Sequence, residues 1–230
     1  MLHLEKLNFA MVEKSRRIIL FGAGNLASNV VEILRLKGIG ILGYISTEKP
    51  GTLINNLKVL GDIKHYIQNK ELQQEYFHIA VGENSTRFKI MESIISHKDN
   101  LQSIISDKCI ISGNCVVGNG AYISHGTIIQ HDVTIGTCCI IDTGVILEHH
   151  VQIGDYVNIS PGAIICGGVR ISNGAIVGAG ATVIEKVLIG ENSLIGAGSV
   201  VINDIQPNVV AVGNPAKIIK RRDFLDTYIR

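Results

Sequence analysis

The 230-residue chain carries almost no net charge, with a formal value of +1 at pH 7. A balance of this kind offers no electrostatic attraction for nucleic acid or for an acidic membrane surface. No apolar stretch approaches the length of about 20 residues that a membrane-spanning helix needs. We therefore expect neither a nucleic-acid partner nor a membrane partner.

Patterns that announce disulfide chemistry or secretion are also missing. The five cysteines include no CxxC pair. The N-terminal segment MLHLEKLNFAMVEKSRR has two glutamates and no long apolar core, so it does not match a secretory signal peptide. We therefore expect a cytoplasmic protein in which disulfides do not form.

An uninterrupted repeat fills the second half of the chain, where every sixth residue from 105 to 201 is aliphatic. A small or β-branched residue stands two places before each of them. This period matches neither a helix nor a strand, but it fits a coil with three short flat faces and an inward aliphatic residue on each. About 18 residues would make one coil, and each coil would bury its inner row only against its neighbours. The inward row is Ile105, Ile111, Val117, Ile123, Ile129, Ile135, Ile141, Leu147, Ile153, Ile159, Ile165, Ile171, Val177, Val183, Ile189, Ile195 and Val201.

The N-terminal third follows a different pattern. Residues 17–21 (RIILF) are typical of a buried strand, and they run through a glycine turn at 22–25 into a helical pattern. Further strands are predicted over 41–45 and 77–81, and Asn84 is the expected N-cap of the next helix. The alternation of strands and helices indicates a small parallel α/β unit.

The glycine turn is a candidate phosphate-binding site, because glycines between a strand and a helix let a ligand reach the backbone and the helix N-terminus. GAGNLA has Ala27 where the third glycine of GxGxxG would stand. The unit is also too short for a complete dinucleotide fold, which disfavours an oxidoreductase. The alternative interpretation of this motif is a tight strand-to-helix turn that binds no ligand.

Taken together, the two halves resemble the bacterial hexapeptide-repeat sugar acetyltransferases of the PglD and NeuD type. The resemblance implies a Rossmann-like α/β domain followed by a left-handed parallel β-helix. The motifs that carry it are FGAGNLA (21–27), AVGENSTR (80–87), IIDTGVILEHHVQIGD (140–155), ISPGAIICGGVRI (159–171) and VGNPAKIIK (212–220).

The resemblance also implies the domain organisation and the assembly. An N-terminal extension is expected over 1–15, a sugar-nucleotide-binding domain over 16–100 and a β-helix acyltransferase domain over 101–206. A short helical tail is expected over 207–230. Members of this group assemble as homotrimers with active sites between subunits, so the same assembly is expected here.

The activity implied by the resemblance is acetyl-CoA-dependent N-acetylation, at C4, of a UDP- or dTDP-linked amino-deoxy sugar in surface glycan biosynthesis. Acetyl-CoA is the cosubstrate and no metal is expected. The alternatives are O-acetylation of a sugar such as sialic acid, and a non-catalytic sugar-nucleotide-binding subunit. The γ-class carbonic anhydrases share the β-helix, but their zinc-binding HxxxxH spacing is absent among the eight histidines of this chain.

By the same resemblance, His149 in ILEHHVQIGD is the general base and Asp142 is its orienting partner. The acidic residue that often follows the family's histidine is replaced here by His150. His131, followed by Asp132, is the rival base, and its 18-residue spacing from His149 predicts that the two stack on one face. The residues expected to bind the sugar nucleotide are Gly22, Gly24, Asn25, Leu26, Thr47, Gly82 and Asn84, and those expected to bind acetyl-CoA are Asn158, Gly167, Ala179 and Ala197.

Overall fold

The structure is a computed structural model that describes residues 17–223. The N-terminal extension predicted over 1–15 and the last seven residues of the predicted tail lie outside the described residues. The chain divides after Ile104 into two compact units. No helix within 17–223 combines the length and the apolar character that crossing a membrane requires.

The first unit is an α/β unit of five strands and three α-helices. Its elements are β1 Ile18–Phe21, α1 Asn25–Leu36, β2 Ile41–Ile45, β3 Leu53–Ile54, β4 Leu57–Gly61, α2 Ile63–Gln68, β5 Tyr76–Ile79 and α3 Asn84–Ser93, with 3-10 turns at Leu72–Gln74 and Ile95–Asn100.

The strands form one sheet in the order β3-β4-β2-β1-β5, in which β1 pairs in parallel with both β2 and β5. The predicted Rossmann-like arrangement is therefore confirmed. Strand β1 is wholly buried, and α1 covers the sheet through a buried face that includes Val30 and Leu34. In the sheet, β1 has β2 on one side and β5 on the other, so the order of the strands reverses at β1. The carboxyl ends of these three strands therefore form the kind of crevice where ligands bind in such sheets.

The predicted role of Asn84 as an N-cap is wrong. The capping position of α3 is held by Glu83, whose backbone is extended, and Asn84 is the first helical residue. Asn84 is almost fully buried, whereas a capping side chain lies at the open end of its helix. The Glu83 side chain accepts a hydrogen bond from the Thr86 hydroxyl at 2.6 Å.

His78 on β5 is a fully buried histidine outside the predicted nucleotide-binding residues. Its Nδ1 lies 2.9 Å from the Gln102 carbonyl oxygen, and its Nε2 has no hydrogen-bond partner among the described residues. Burial lowers the pKa of His78 from 6.5 to about 4, and the nearby Arg87 guanidinium acts in the same direction. The neutral imidazole is therefore the form that the folded protein holds near pH 7.

We expect the free energy of unfolding to fall as the pH drops from 6.5 towards about 4, because the unfolded chain then binds a proton that buried His78 excludes. This contribution is complete above pH 6.5, and its loss approaches about 3 kcal/mol below pH 4. Urea unfolding between pH 4.5 and 7.5 measures it. His78→Gln should flatten the dependence, whereas the control His65→Gln, at an exposed histidine of the same unit, should keep it. Equal slopes in the wild type and His78→Gln would contradict the assignment.

The second unit is a β-helix built from 17 two-residue strands. They are β6 Ile104–Ile105, β7 Ile110–Ile111, β8 Val116–Val117, β9 Tyr122–Ile123, β10 Ile128–Ile129, β11 Thr134–Ile135, β12 Ile140–Ile141, β13 Ile146–Leu147, β14 Gln152–Ile153, β15 Asn158–Ile159, β16 Ile164–Ile165, β17 Arg170–Ile171, β18 Ile176–Val177, β19 Thr182–Val183, β20 Leu188–Ile189, β21 Leu194–Ile195 and β22 Val200–Val201.

Each of these strands ends at one of the predicted inward aliphatic residues, which confirms the repeat and the left-handed parallel β-helix. Every third strand pairs in parallel, so that β7, β10, β13, β16, β19 and β22 form one flat face. We call this sheet face 1. Strands β8, β11, β14, β17 and β20 form face 2, and strands β6, β9, β12, β15, β18 and β21 form face 3. The inward row forms one continuous core from Ile123 to Val201, and its first members Ile105, Ile111 and Val117 are partly buried against that core.

The predicted helical tail is wrong for its described part. Residues 207–223 contain strands β23 Val209–Val212 and β24 Lys217–Arg221. Strand β23 pairs in parallel with β21, and β24 returns antiparallel to β23. The physical reason is the open edge of β21, whose unpaired backbone groups require a strand, together with Pro215, which a helix interior would not tolerate.

Candidate active site

His149 lies on the turn that joins face 1 to face 2, directly after β13. His131 occupies the same turn one coil below. The two imidazoles are stacked, with ring centroids 5.6 Å apart and an interplanar angle of 13°. The predicted stacking of these two histidines is therefore confirmed. Both side chains are exposed to solvent, as a residue that meets a substrate must be.

His150 stands edge-on to both stacked rings, at centroid distances of 5.3 Å from His131 and 5.2 Å from His149. The Nδ1 atoms of His149 and His150 are 3.1 Å apart, so one of them donates a hydrogen bond to the other. Three imidazoles thus meet at one corner of the β-helix. We refer to His131, His149 and His150 with Asp132 as the histidine corner.

Asp132 is the carboxylate of the histidine corner. Its Oδ2 is 2.9 Å from His131 Nδ1 and 3.8 Å from His150 Nε2. The hydrogen bond from His131 lowers the pKa of Asp132 below its ordinary value. Asp132 is therefore an ionised group beneath the His149–His150 pair at any pH near neutrality.

Gly167 is the residue directly above His149, and a side chain there would meet the imidazole in its present position. A Cβ placed on Gly167 would lie 2.5 Å from His149 Cε1 and 2.7 Å from His149 Nε2. The backbone of the turn is held by a hydrogen bond of 2.9 Å from the Gly168 N–H to the His149 carbonyl oxygen. The imidazole of His149 thus lies against the bare Cα of Gly167.

Asp142 is not brought to His149 within one chain. It lies before β13, on the turn from face 3 to face 1, whereas His149 follows the same strand. Its Oδ1 accepts hydrogen bonds from the Thr143 N–H at 2.8 Å and from the Thr143 hydroxyl at 3.4 Å. Among the described residues no hydrogen bond joins Asp142 to His149. A single chain therefore gives Asp142 no direct contact with that histidine.

The four residues predicted to bind acetyl-CoA fall at three places. Gly167 lies directly above His149 of the histidine corner. Ala179 and Ala197 stack on the other edge of face 1, where the Gly198 N–H donates to the Ala179 carbonyl oxygen at 2.8 Å. Asn158 begins β15 on face 3 and is almost fully buried. Within one chain these residues line two different edges of face 1 and one position on face 3.

The residues predicted to bind the sugar nucleotide all lie at the carboxyl ends of three adjacent strands. The glycine turn follows β1, Thr47 follows β2, and Gly82 precedes α3 after β5. Gly22 has φ +100° and approaches the Ala80 carbonyl oxygen so closely that a Cβ would lie 2.9 Å from it. Gly22 therefore closes the turn against β5, which only glycine allows.

The N-terminus of α1 is open to a ligand. Gly24 occupies its capping position without a side-chain hydrogen bond, and the first turn carries no acidic residue. Gly24 and Asn25 are exposed, and Leu26 is half-buried. The unpaired N–H groups of such a turn favour an anion, since the helix dipole adds positive charge there.

Comparison with known proteins supports both units. A family model, the PglD N-terminal domain, matches residues 17–94. PerB of Caulobacter crescentus, solved with CoA and GDP-perosamine, is 29% identical with a TM-score of 0.79, over 88% of this chain and 97% of PerB. The acetyltransferase domain of PglB from Neisseria gonorrhoeae, solved with acetyl coenzyme A, is 25% identical with a TM-score of 0.82, over 89% and 99% of the two chains. The chain is thus similar, over most of its length, to PglD-type hexapeptide-repeat sugar acetyltransferases.

A further PglD-type likeness is WeeI from Acinetobacter baumannii, which is 25% identical with a TM-score of 0.78, over 88% of this chain and 99% of WeeI. Comparison with curated protein sequences gives no match.

The place of Asp132 beneath His150 was not predicted from the sequence, where Asp132 was noted only as the neighbour of the rival base His131. The 18-residue coil was the signal that could have found it, because position 132 lies one coil beneath position 150. A carboxylate within 3.8 Å of His150 thus comes from the coil below and not from the next residue in the chain.

Proposed function

We propose that the chain transfers an acetyl group from acetyl-CoA to the amino group, at C4, of a nucleotide-linked amino-deoxy sugar in surface glycan biosynthesis. The observation that carries this proposal is the exposed His149 imidazole, on a β-helix whose PglD-type relatives are acetyltransferases solved with CoA. One of these relatives is described as a perosamine N-acetyltransferase, which favours an amine over a hydroxyl as the acceptor.

His149 acts as the general base in this proposal. A free sugar amine is protonated near neutral pH, and its nitrogen attacks a thioester only after losing a proton. The imidazole of His149 accepts this proton, since a neutral imidazole is a common general base near neutral pH, and the freed nitrogen then bonds to the thioester carbon. The carbon–sulfur bond then breaks, the CoA thiolate receives the proton held by His149, and the amide nitrogen releases its remaining extra proton to solvent as the product forms on the sugar.

Acetyl-CoA would lie along an edge of face 1, near Gly167, Ala179, Ala197 and Asn158. Because these residues occupy separate edges in one chain, we propose that neighbouring copies complete the groove in a homotrimer. The outward side of face 1 supports this assembly, since Ile110 and Ile164 are 65% and 38% exposed at its surface. Sedimentation equilibrium tests it, and a monomer that is fully active would contradict it.

The nucleotide would bind at the open N-terminus of α1, with its phosphates against Gly22, Gly24, Asn25 and Leu26. Thr47 would lie near the base or ribose, and Gly82 and Asn84 would close the pocket. The proposed nucleotide is UDP or dTDP, and GDP joins the comparison because PerB was solved with GDP-perosamine.

Gly24→Ala is expected to raise the KM for the nucleotide sugar by about tenfold, which corresponds to about 1.4 kcal/mol of lost binding. A Cβ on Gly24 meets no atom within 4 Å, so the fold should keep its melting temperature, whereas a phosphate at the backbone would meet the new methyl group. The KM for acetyl-CoA should not change. Gly113→Ala, at an equally open position of the β-helix, is the control. An unchanged KM for the nucleotide sugar in Gly24→Ala would contradict the binding of its phosphates at this turn.

The proposed reaction is tested by thiol release from acetyl-CoA with UDP-, dTDP- and GDP-linked 4-amino-deoxy sugars, with sialic acid in the same panel. Turnover with an amino sugar is expected, and mass spectrometry should show one acetamide on the product. Turnover with sialic acid only would move the activity to O-acetylation. No turnover with any acceptor, while acetyl-CoA is still bound, would overturn the proposed substrate class.

A further inference from the structure

We infer that Asp132 is a positioning residue for the general base, and that it acts on His149 through His150. The three side chains form a series of contacts that crosses from one coil to the next, from the Asp132 carboxylate to His150 and from His150 to His149. The inference rests on the proposed function, in which His149 accepts the proton of the attacking amine. It names two residues that this role requires in addition to the base.

The contacts in this series determine which ring nitrogen of each histidine carries a proton. The Asp132 carboxylate, 3.8 Å from His150 Nε2, favours a proton on that nitrogen, because an ionised acceptor stabilises a nearby donor. With its proton on Nε2, neutral His150 has a lone pair on Nδ1. His149 Nδ1, 3.1 Å away, must then be the donor. The proton of neutral His149 is thereby held on Nδ1, and His149 Nε2 keeps the lone pair that a base needs.

The same series of contacts makes His149 a stronger base. When His149 takes up a proton at Nε2, its Nδ1–H still donates to His150, and the Asp132 carboxylate beyond His150 stabilises the positive charge. Second-sphere carboxylates of this kind orient an imidazole and stabilise its protonated form. Asp132 is available for this role at neutral pH because the hydrogen bond from His131 Nδ1, at 2.9 Å, keeps it ionised.

The left-handed backbone that recurs in the turns of the β-helix also aligns Asp132 with His150. Asp132 and His150 both have φ of 60°, in the left-handed region, and they hold the same place in successive coils. Gly168, with φ 69°, holds that place in the next coil. Glycine fits such a backbone without strain, whereas other residues adopt it at a cost. The shared conformation directs the side chains of Asp132 and His150 along one edge of the β-helix, one above the other.

The other charged groups on this edge are few. Glu148 precedes His149, and Glu185 and Lys186 lie on the turn two coils above, where the Lys186 N–H donates to the Gly167 carbonyl oxygen at 3.0 Å. His131 shares Asp132 from the same turn. Glu185 therefore offers a matched control, because it is an acidic residue of the same edge that no hydrogen bond or ion pair among the described residues joins to His149 or His150.

The test compares Asp132→Asn with the wild type. We expect kcat to fall by about tenfold or more, with the KM for acetyl-CoA unchanged, because a lost carboxylate affects the base and not CoA binding. The acidic limb of the kcat/KM profile should move to lower pH, since the protonated imidazole loses a stabilising charge. Glu185→Gln should leave both kcat and the pH profile close to those of the wild type.

A second variant distinguishes positioning from a structural defect. Asp132→Asn/His150→Asp moves the carboxylate to the place that is now in contact with His149 Nδ1, and it should recover most of the lost kcat. Asp132→Glu should recover part of it. If Asp132→Asn keeps the wild-type pH profile, or if the double variant is as slow as Asp132→Asn, the inference is wrong.

A measurement without turnover separates this inference from the proposed function. Nitrogen-15 NMR of histidine-labelled full-length protein reports which ring nitrogen of His149 carries the proton. The wild type should hold it on Nδ1, and Asp132→Asn should give a mixture of tautomers. A wild type with the proton on Nε2 would overturn the inference even if the enzyme acetylates amino sugars. The expected tautomer in a protein that is inactive on the whole panel would overturn the proposed substrate class and leave the inference standing.

Discussion

His149→Asn is expected to lower kcat by about 10²- to 10⁴-fold, the range that loss of a general base produces. The acetyl-CoA dissociation constant should stay near that of the wild type, because the variant removes the proton acceptor and leaves the remaining surface intact. The reason is chemical: without a base, only the small unprotonated fraction of the sugar amine attacks the thioester. Thiol release at saturating acetyl-CoA and nucleotide sugar measures kcat, and calorimetry measures the binding of acetyl-CoA.

His131→Asn is the matched comparison for His149→Asn. The two rings lie 5.6 Å apart in the same slot of adjacent coils, so the variants remove the same group from nearly the same surroundings. His131→Asn should cost far less activity, since His131 is separated from Gly167 by the coil that carries His149. If His131→Asn loses activity to the same extent and His149→Asn retains it, His131 is the base.

Gly167→Ala is expected to lower kcat by about 100-fold, the loss that a displacement of about 1 Å at a reacting group can cause. The new methyl group would lie 2.5 Å from His149 Cε1, so the imidazole must move away from its place. The backbone of Gly167 is not in the left-handed region, so alanine brings no conformational strain. The effect therefore falls on the position of the base and not on the fold.

Thermal unfolding is the measurement that separates these two effects in Gly167→Ala. The melting temperature should match that of the wild type to within a few degrees, as should that of the control Gly113→Ala, where a Cβ meets open space. Full activity in Gly167→Ala would show that the imidazole of His149 is free to reposition, and it would weaken the case for a fixed base at this corner.

The β-helix could be predicted in detail because a single constraint acts on it at every sixth residue. Each inward aliphatic residue has to be buried by its neighbours above and below, so the pattern extends without exception from Ile105 to Val201, and the strands end where it predicts. The stacking of His131 on His149 follows from the same periodicity. The Rossmann-like character of the N-terminal unit, by contrast, was predicted from a resemblance, because short strands and a glycine turn occur in many α/β proteins.

Three features were not predicted, because each depends on contacts between parts of the chain that are not neighbours in sequence. Strand β24 forms because β23 offers it an edge, which no pattern within 217–221 indicates. Asn84 is buried by the tertiary packing of α3 and not placed by a local capping rule. Asp132 reaches His150 across a coil, and a motif read along the chain compares a residue only with its neighbours in sequence.

The 18-residue coil also restricts how the length of this protein can change. Removing one hexad between residues 149 and 167 would carry every later residue to the next corner, so Gly167 would no longer lie above His149. Removing or adding a whole coil would preserve every corner and alter only the height of the prism. Lineages of this enzyme should therefore differ in length by complete coils or by loops that protrude from the turns, while the histidine corner keeps its vertical neighbours.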